Sequence, residues 1–277
     1  MDLIVYRRWG HNELDEPGFT QPLMYKMIRS RDSVPRLYEK KLSKEGVVEP
    51  AAIEQIRSDC FKSLEDHFNA SVSWKPPRLA GGLEGKWKNC IIPHNSVTQL
   101  DTGFDKNELI KIGKISVAYP QSFSIHPRLQ KYHVERRLKD LDGDEGAGKI
   151  DWATAEAMAI GSLLRERYSC RISGQDVGRG TFSQRHLMLV DQETEKVHVP
   201  LNDMGQGQGK LEIANSSLSE LAVLGYEYGC SWENPDTLYI WEAQFGDFFN
   251  GAQVIIDTFL SGGESKWMKQ SGLVMLL

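Results

Sequence analysis

Residues 151–173 read DWATAEAMAIGSLLRERYSCRIS, and the order of elements in this stretch predicts the fold class. An aspartate able to cap a helix precedes an alanine-rich helical pattern over 152–166, and a short strand over 169–173 follows. The alternation continues with strands at 187–190 and 237–241 and helices at 218–229 and 250–260. Alternating strands and helices are typical of a mostly parallel sheet covered by helices on both faces. The sequence therefore predicts an α/β domain from residue 149 onward.

The residues before this domain have a different pattern. An apolar run at 3–6 is predicted as a buried strand, and helical periodicity at 23–31 and 37–68 predicts a helix and then a charged helical hairpin broken around 46–50. The glycine-rich acidic stretch at 143–148 predicts a domain boundary. Buried strands need neighbours on each side. Because strand-like runs stand near both ends, at 3–6 and 272–277, we expect the chain to be a piece of a longer protein.

Composition limits the classes of partner. The 277 residues carry 33 basic and 38 acidic side chains, a net charge of −5, which argues against a broadly basic nucleic-acid-binding protein. No apolar run approaches the roughly 20 residues of a membrane span. The four cysteines form no CxxC pair, so neither a disulfide framework nor a structural zinc site is predicted. No targeting sequence is visible in this chain.

Three polar clusters follow predicted strands or open a helix, where open α/β sheets bind ligands. In SGQDVGRGTFSQRH (173–186) the glycines allow close approach of a ligand, although a well-anchored surface turn fits equally well. In WEAQFGDFFN (241–250) three phenylalanines would more often be core residues than ligand contacts. Their position at the end of a strand shifts the balance toward a flat ligand.

The third cluster, NSSLSE (215–220), contains Glu220, the main candidate for a proton-sharing acid. Ser217 and Glu220 fit a capping box, in which the glutamate reaches back to a backbone N–H. Alternatively, the four apolar residues after Glu220 predict a helix buried on most sides, which would desolvate this carboxyl group and suit it to sharing a proton with a bound base. A further cluster at HNELDE (11–16) invites a metal interpretation, but it lacks a recognised ligand spacing.

Five longer motifs resemble a known family. They are YRRWGHNELDEP (6–17), FTQPLMYK (19–26), DWATAE (151–156), SGQDVGRGTF (173–182) and WEAQFGDF (241–248). Together they resemble the thiamine-diphosphate-dependent decarboxylating component of the 2-oxoglutarate dehydrogenase family. FFNGAQ (248–253), GESKW (263–267) and Gln184, where 2-oxoglutarate members typically have histidine, resemble the 2-oxoadipate branch. The first and fourth motifs disfavour transketolase itself.

The resemblance implies three regions. Residues 1–35 would be the C-terminal end of a diphosphate-binding dehydrogenase domain, and 36–148 a helical and irregular linker. Residues 149–277 would be a transketolase-like pyrimidine-binding domain that is incomplete at its C-terminus. The family's magnesium and diphosphate ligands would lie upstream of Met1, so Mg²⁺ is expected to bind to protein missing from this chain. We therefore assign no metal ligand here and expect the chain alone to be inactive or nearly so.

The resemblance also assigns residues. Glu220 and His11 would be catalytic, with Glu220 pairing with N1′ of the aminopyrimidine of thiamine diphosphate. Gln175, Gln244 and Phe248 would bind the cofactor, with the Phe248 ring stacked on the pyrimidine. His11 and Gln175 would lie near the thiazolium and the bound acyl group.

The function implied by the resemblance is decarboxylation of a 2-oxo diacid, 2-oxoglutarate or 2-oxoadipate, and transfer of the acyl group to a lipoyl arm. The implied partners are a lipoyl-bearing acyltransferase, dihydrolipoyl dehydrogenase and a second copy in a homodimer, and the implied location is the mitochondrial matrix. Neither nucleic acid nor membrane is an expected partner. The alternative is a non-catalytic interaction or dimerisation fragment of the same complex.

Overall fold

The structure is a computed structural model that describes residues 2–75, 83–91, 101–142 and 150–277. The chain divides into two compact units, residues 1–78 and 79–277. The domain boundaries predicted at residues 35 and 148 remain predictions, and the glycine-rich stretch at 143–148 lies outside the described residues. None of the helices in the described ranges is long and apolar enough to cross a membrane.

The first unit is helical. After a short 3-10 turn at Pro17–Phe19, it contains α1 (Pro22–Ser30), α2 (Val34–Lys44) and α3 (Pro50–Ser71). Each helix opens with a proline in its first turn, where the missing N–H removes no intrahelical hydrogen bond. Arg57 of α3 donates hydrogen bonds to both carboxylate oxygens of Glu39 in α2, at 2.9 and 2.8 Å. The predicted charged helical hairpin is confirmed by α2 and α3.

The buried strand predicted at residues 3–6 is wrong. This segment has no regular structure, and Leu3, Ile4 and Val5 are exposed. A buried strand requires hydrogen-bonded neighbours, and the described part of the first unit contains no strand to provide them. The nearest anchor is a hydrogen bond from the Tyr25 hydroxyl of α1 to the carbonyl of Arg7, at 3.0 Å.

The second unit contains a parallel four-stranded sheet in the order β4-β1-β5-β6. The strands of this unit are β1 (Ser169–Gly174), β2 (Leu189–Val190), β3 (Val197–His198), β4 (Leu211–Asn215), β5 (Thr237–Glu242) and β6 (Val274–Leu276). The predicted strands at 169–173 and 237–241 are therefore β1 and β5, at the centre of the sheet. Part of the run predicted as a strand at 272–277 forms β6, in which Val274 and Met275 are exposed, and β4 was not predicted.

Helices cover both faces of this sheet. The helices described in this unit are α4 (Lys106–Ile115), α5 (Pro127–Leu129), α6 (Arg136–Asp142), α7 (Trp152–Arg165), α8 (Glu220–Glu233), α9 (Gln253–Ile255) and α10 (Gly263–Trp267). One core cluster joins Ile112 of α4 and Leu164 of α7 to Ile172 of β1. A second joins Leu224 of α8 to Trp241 of β5. Because Ile240 and Trp241 of β5 fall in different clusters, the two cores lie on opposite faces, and the predicted α/β class is confirmed.

Two predicted elements differ from the structure. The strand predicted at 187–190 is limited to β2, which pairs antiparallel with β3 outside the main sheet. Its direction reverses because the Asp191 carboxylate accepts hydrogen bonds from the backbone N–H groups of Glu193 and Thr194, at 2.9 and 2.8 Å. The helix predicted at 250–260 is a 3-10 helix over Gly246–Ala252, then α9, then a π-helical segment over Ile256–Leu260.

The helix predicted at 152–166 is confirmed by α7. Asp151 is its N-cap, and its carboxylate accepts a hydrogen bond from the Thr154 N–H at 2.8 Å. This cap satisfies one of the free N–H groups of the first turn. It fixes the start of the helix that packs beside β1.

Candidate cofactor-binding site

The carboxyl ends of β1 and β5 and the start of α8 meet at one edge of the sheet. Gly174, the last residue of β1, has φ +150°, and a Cβ atom there would collide with the carbonyl oxygen of Glu242 at the end of β5. Only glycine fits this close approach of two backbones. The chain leaves the two central strands at this point, with Gln175 following β1 and Gln244 following β5.

Glu220 is the first residue of α8 and is half-buried. Its carboxylate oxygen Oε1 accepts a hydrogen bond from the backbone N–H of Gln244 at 3.2 Å. The carboxyl group therefore bridges the start of α8 and the loop after β5. A bond to a neighbouring loop leaves the remaining oxygen lone pairs available to another donor.

The capping box predicted for Ser217 and Glu220 is wrong. The N-cap of α8 is Ser219, whose hydroxyl accepts from the Ala222 N–H at 3.4 Å. Ser216 instead accepts from the Leu218 N–H at 3.1 Å, which closes a local turn before the helix. This turn delays the helix start by two residues, so Glu220 stands in the first turn and is directed toward the β5 loop.

The expectation that α8 is buried on most sides is also wrong. Its buried residues lie on one face and include Val223, Leu224 and Glu227, whereas Leu221 is exposed. Glu227 is the acid that the helix fully buries, at 1% exposure of its side chain, and it pairs with Arg171 of β1 at 2.9 Å. The apolar run after Glu220 predicted burial of the whole run. In a helix, however, consecutive residues point in different directions, so only part of the run faces the sheet.

An aromatic cluster lies beside Glu220 at this edge. The Phe245 ring makes edge-to-face contacts with Phe182 and Phe248, with ring centroids 5.7 Å apart in each pair. Phe248 is 47% exposed, and Phe245, Phe182 and Phe249 are exposed as well, so these rings are not core residues. Exposed aromatic faces next to polar groups suit a flat heteroaromatic ligand.

Gln244 has an amide oxygen that is buried and has no hydrogen-bond partner among the described residues. Leaving a buried acceptor unpaired costs about 1–3 kcal/mol. Its backbone carbonyl is fixed by the Thr181 hydroxyl at 3.2 Å, so the loop is held in place. The loop therefore holds this unpaired amide oxygen in the same residue whose backbone N–H bonds Glu220.

A buried ion-pair network supports this edge. Arg185, at 3% exposure of its side chain, donates to Glu242 at the end of β5 and to Glu156 of α7. It also donates to the carbonyl of Val177 at 3.1 Å, which ties the loop over 175–186 to the sheet. Burial alone would lower the pKa of Arg185, but the hydrogen bonds that Arg185 donates to Glu242 and Glu156 outweigh burial and raise the pKa above its ordinary value. The sequence pattern marked the cluster at 173–186, which contains Arg185, as a candidate ligand-binding loop and gave no sign of this supporting role.

His11 lies in the first unit, whereas Glu220, Gln175, Gln244 and Phe248 lie in the second. The His11 side chain is exposed, and its backbone N–H donates to the Asp15 carboxylate at 2.7 Å. Gln175 is half-buried directly after Gly174. Within the described ranges, no group of three or more His, Cys, Asp or Glu side chains could hold a metal ion.

Comparison with known proteins agrees with this geometry. Residues 148–277 match the family described as "Transketolase, pyrimidine binding domain", and residues 1–79 match "Dehydrogenase E1 component". Residues 148–277 thus have the fold of a transketolase-type pyrimidine-binding domain.

Similar whole sequences narrow the class. The chain is 52% identical to the 2-oxoadipate dehydrogenase complex component E1 of Xenopus laevis and 50% identical to that of Homo sapiens, in each case over 100% of this chain. It is 48% identical to a 2-oxoglutarate dehydrogenase E1 component of Brucella anthropi. The chain therefore resembles dehydrogenase E1 components over its whole length, and the predicted likeness to the 2-oxoadipate branch is confirmed. It spans 29%, 30% and 27% of the length of these three relatives.

Proposed function

We propose that this chain supplies the aminopyrimidine side of a thiamine-diphosphate site in a 2-oxo acid dehydrogenase E1 component. The observation that carries the proposal is the placement of Glu220 against the loop that bears Gln244 and Phe248. A carboxylate, an unpaired amide oxygen and an exposed aromatic face are the three groups that an aminopyrimidine needs, since this ring offers a basic nitrogen, an amino group and a flat surface.

Each residue then has a role that follows from its chemistry. Glu220 holds a proton at the ring nitrogen and shares it, the amide oxygen of Gln244 accepts a hydrogen bond from the amino group, and Phe248 packs on the ring face. When bound, thiamine diphosphate supplies an electron-accepting thiazolium that carries the decarboxylation. The protein side chains orient the cofactor, exclude water and transfer protons. His11 and Gln175 are proposed to act near the acyl group.

The rest of the proposed activity rests on the relatives. In the longer protein, Mg²⁺ and the diphosphate would be held by residues outside this chain. The proposed substrate is 2-oxoadipate or 2-oxoglutarate, the two 2-oxo acids in the relatives' names. The proposed acceptor is the lipoyl arm of a partner acyltransferase, which dihydrolipoyl dehydrogenase would reoxidise. Homodimer formation and a location in the mitochondrial matrix are proposed on the same grounds.

The test is a substitution in a full-length E1 component that contains this chain. Glu220→Gln keeps the size of the side chain but removes its proton-sharing carboxyl group, and loss of a general acid–base group lowers rates by about 10²–10⁴-fold. We expect a fall of that size in carbon dioxide release from the 2-oxo acid. Glu233→Gln, at the opposite end of α8 and exposed, is the matched control and should retain full activity. Full activity in Glu220→Gln would refute the proposed role.

The alternative function, a non-catalytic interaction or dimerisation fragment, is favoured by one observation in the first unit. Helix α3 carries four exposed large apolar side chains, Ile56, Phe61, Leu64 and Phe68. Calorimetry of the 277-residue chain with thiamine diphosphate and Mg²⁺ addresses both functions. We expect no tight binding by this chain alone, and tight binding would contradict the proposal that a second half of the site is required. Full activity of Glu220→Gln in the longer protein, combined with dimerisation of this chain in sedimentation, would favour the alternative.

A further inference from the structure

Another cleft, of about 690 Å³, lies in the second unit. It is next to residues 183–186, at the C-terminal end of the loop that begins with Gln175. Its walls come from the segment around α5 and the following π-helical segment (Gln130–Glu135), from the start of α7, and from residues 183–186. None of the residues assigned above to cofactor binding lines it. Its side chains include three histidines, two arginines and one aspartate: His126, His133, His186, Arg128, Arg136 and Asp151.

Two of the imidazoles are in contact. The ring centroids of His133 and His186 are 4.9 Å apart. His186 Nε2 lies 2.9 Å from the carbonyl of Ser183, and because a carbonyl only accepts, Nε2 carries the hydrogen. His133 is nine-tenths buried, and its Nε2 has no hydrogen-bond partner among the described residues. A buried polar atom without a partner is rare in folded proteins and points to a missing ligand.

The His133 ring is electrically neutral. Burial, together with the nearby charges of Arg137 and His186, lowers the pKa of His133 to about 3. A neutral imidazole offers one N–H donor and one acceptor. His133 can therefore donate a hydrogen bond into the cleft without bringing a charge of its own.

The charge around the cleft is positive. Arg137 is 4% exposed and donates to the hydroxyls of Thr154 and Ser116, at 2.9 Å each, without an ion pair to any carboxylate of the described chain. Arg128 and Arg136 add two cations at the rim, and Arg136 also forms an exposed pair with Asp140 at 3.8 Å. The lining acid Asp151 accepts a hydrogen bond from the Thr154 N–H, and its negative charge, with that of Glu156, offsets the charge of Arg137 in part. Arg137 makes no hydrogen bond to either acid in the described chain, so its burial is costly, and an anion in the adjacent cleft would offset part of that cost.

We propose that this cleft binds an oxyanion, the carboxylate or phosphate group of a small molecule, held by Arg136, Arg128 and the His133 N–H. The proposal is independent of the cofactor site. A metal ion fits the cleft poorly, because Arg128, Arg136 and Arg137 repel cations and no cluster of three ligands occurs in the described residues. A carboxylate and a phosphate group would be recognised in the same way, because each accepts single or bidentate hydrogen bonds from guanidinium and imidazole groups.

The test uses the 277-residue chain with isotope-labelled histidine and follows the imidazole signals by NMR. Inorganic phosphate and glutarate are titrated separately, and sodium chloride at matched ionic strength is the control. We expect saturable shifts at His133 and His186 and none at His67 in the first unit. Saturation with phosphate alone, glutarate alone or both identifies the accepted oxyanion. Shifts that are absent, unsaturable or reproduced by chloride would overturn the proposal.

Variants separate binding from general charge effects. Arg136→Gln should weaken binding by about tenfold or more, which is the effect of losing one charge-assisted hydrogen bond. Lys139→Gln removes the same charge from an exposed position on α6 outside the cleft lining and should change affinity by less than about threefold. His133→Leu preserves side-chain bulk and should abolish the saturable shift at His186. Unchanged binding in Arg136→Gln and His133→Leu would overturn the proposal.

Discussion

Replacing the buried arginine of the ion-pair network gives a sharp test of how the site is supported. Arg185→Met keeps the length of the side chain but leaves Glu242 and Glu156 without their cation. Breaking a buried pair from one side costs about 3–5 kcal/mol. The Glu242 side chain is 14% exposed and Glu156 is 31% exposed, so water screens the second acid in part. We therefore expect Arg185→Met to lower the free energy of unfolding by about 3 kcal/mol, the low end of this range. For a unit of this size, that loss corresponds to a fall in Tm of roughly 6–12 °C.

The assay is thermal and urea unfolding of the 277-residue chain. Arg179→Met is the matched control, because Arg179 lies in the same loop and pairs with Asp176 at 3.0 Å while remaining 47% exposed. An exposed pair contributes about 0–1 kcal/mol. The double variant Arg185→Met/Glu242→Gln should recover part of the loss, since it removes one of the uncompensated charges. The reasoning is refuted if Arg185→Met costs no more than Arg179→Met.

Three further predictions concern the stability of the second unit. Gly174→Ala should destabilise the chain by more than about 1 kcal/mol, because the added Cβ would meet the Glu242 backbone. Gly229→Ala in α8 is the control; it has open space around it and should stabilise the chain by about 0.5–1 kcal/mol. Equal unfolding midpoints for the two variants would contradict this prediction. Hydrogen bonds from the Ser124, Thr194 and Glu193 N–H groups lower the pKa of Asp191 to about 2, so its stabilising effect is complete above the unfolded-state value near 4 and is lost as pH falls toward 2. Asp191→Asn should therefore lower Tm at pH 7, and the gap to the wild type should close near pH 2; a gap independent of pH would contradict this. Burial is the main cause that lowers the pKa of His133 to about 3, so the folded state disfavours protonation of this ring. As the pH falls from about 6.5 to 3, the wild type should therefore lose stability relative to His133→Leu. Tm curves that stay parallel over this pH range would contradict the prediction.

The sequence predicts the central strands well because their signal is local. β5 is a short, largely apolar and aromatic run, β1 has apolar residues at alternate positions, Cys170 and Ile172, and α7 is preceded by an aspartate whose side chain accepts from the third residue beyond it. The segment at 3–6 shows the limit of this reasoning. An apolar run has the same composition whether or not a neighbouring strand exists, so the run alone does not establish burial.

In the candidate site, too, local patterns could be predicted from the sequence and contacts between distant residues could not. The motifs identified Glu220, Gln244 and Phe248, and the structure brings these residues to one edge of the sheet. The capping box was a local pattern that an adjacent turn at Ser216 and Leu218 overrode. The roles of Arg185 and Glu227 depend on partners 29 to 57 residues away in the chain, so no local pattern could show them.

The most direct test of the proposed role of Glu220 is a proton-exchange measurement. In a full-length E1 component containing this chain, hydrogen–deuterium exchange at C2 of bound thiamine diphosphate can be followed by NMR after rapid quenching. If Glu220 shares its proton with the aminopyrimidine, exchange should slow by about 10²-fold or more in Glu220→Gln and stay at the wild-type rate in Glu233→Gln. Equal exchange rates in the two variants, with the cofactor bound in both, would contradict the proposed role.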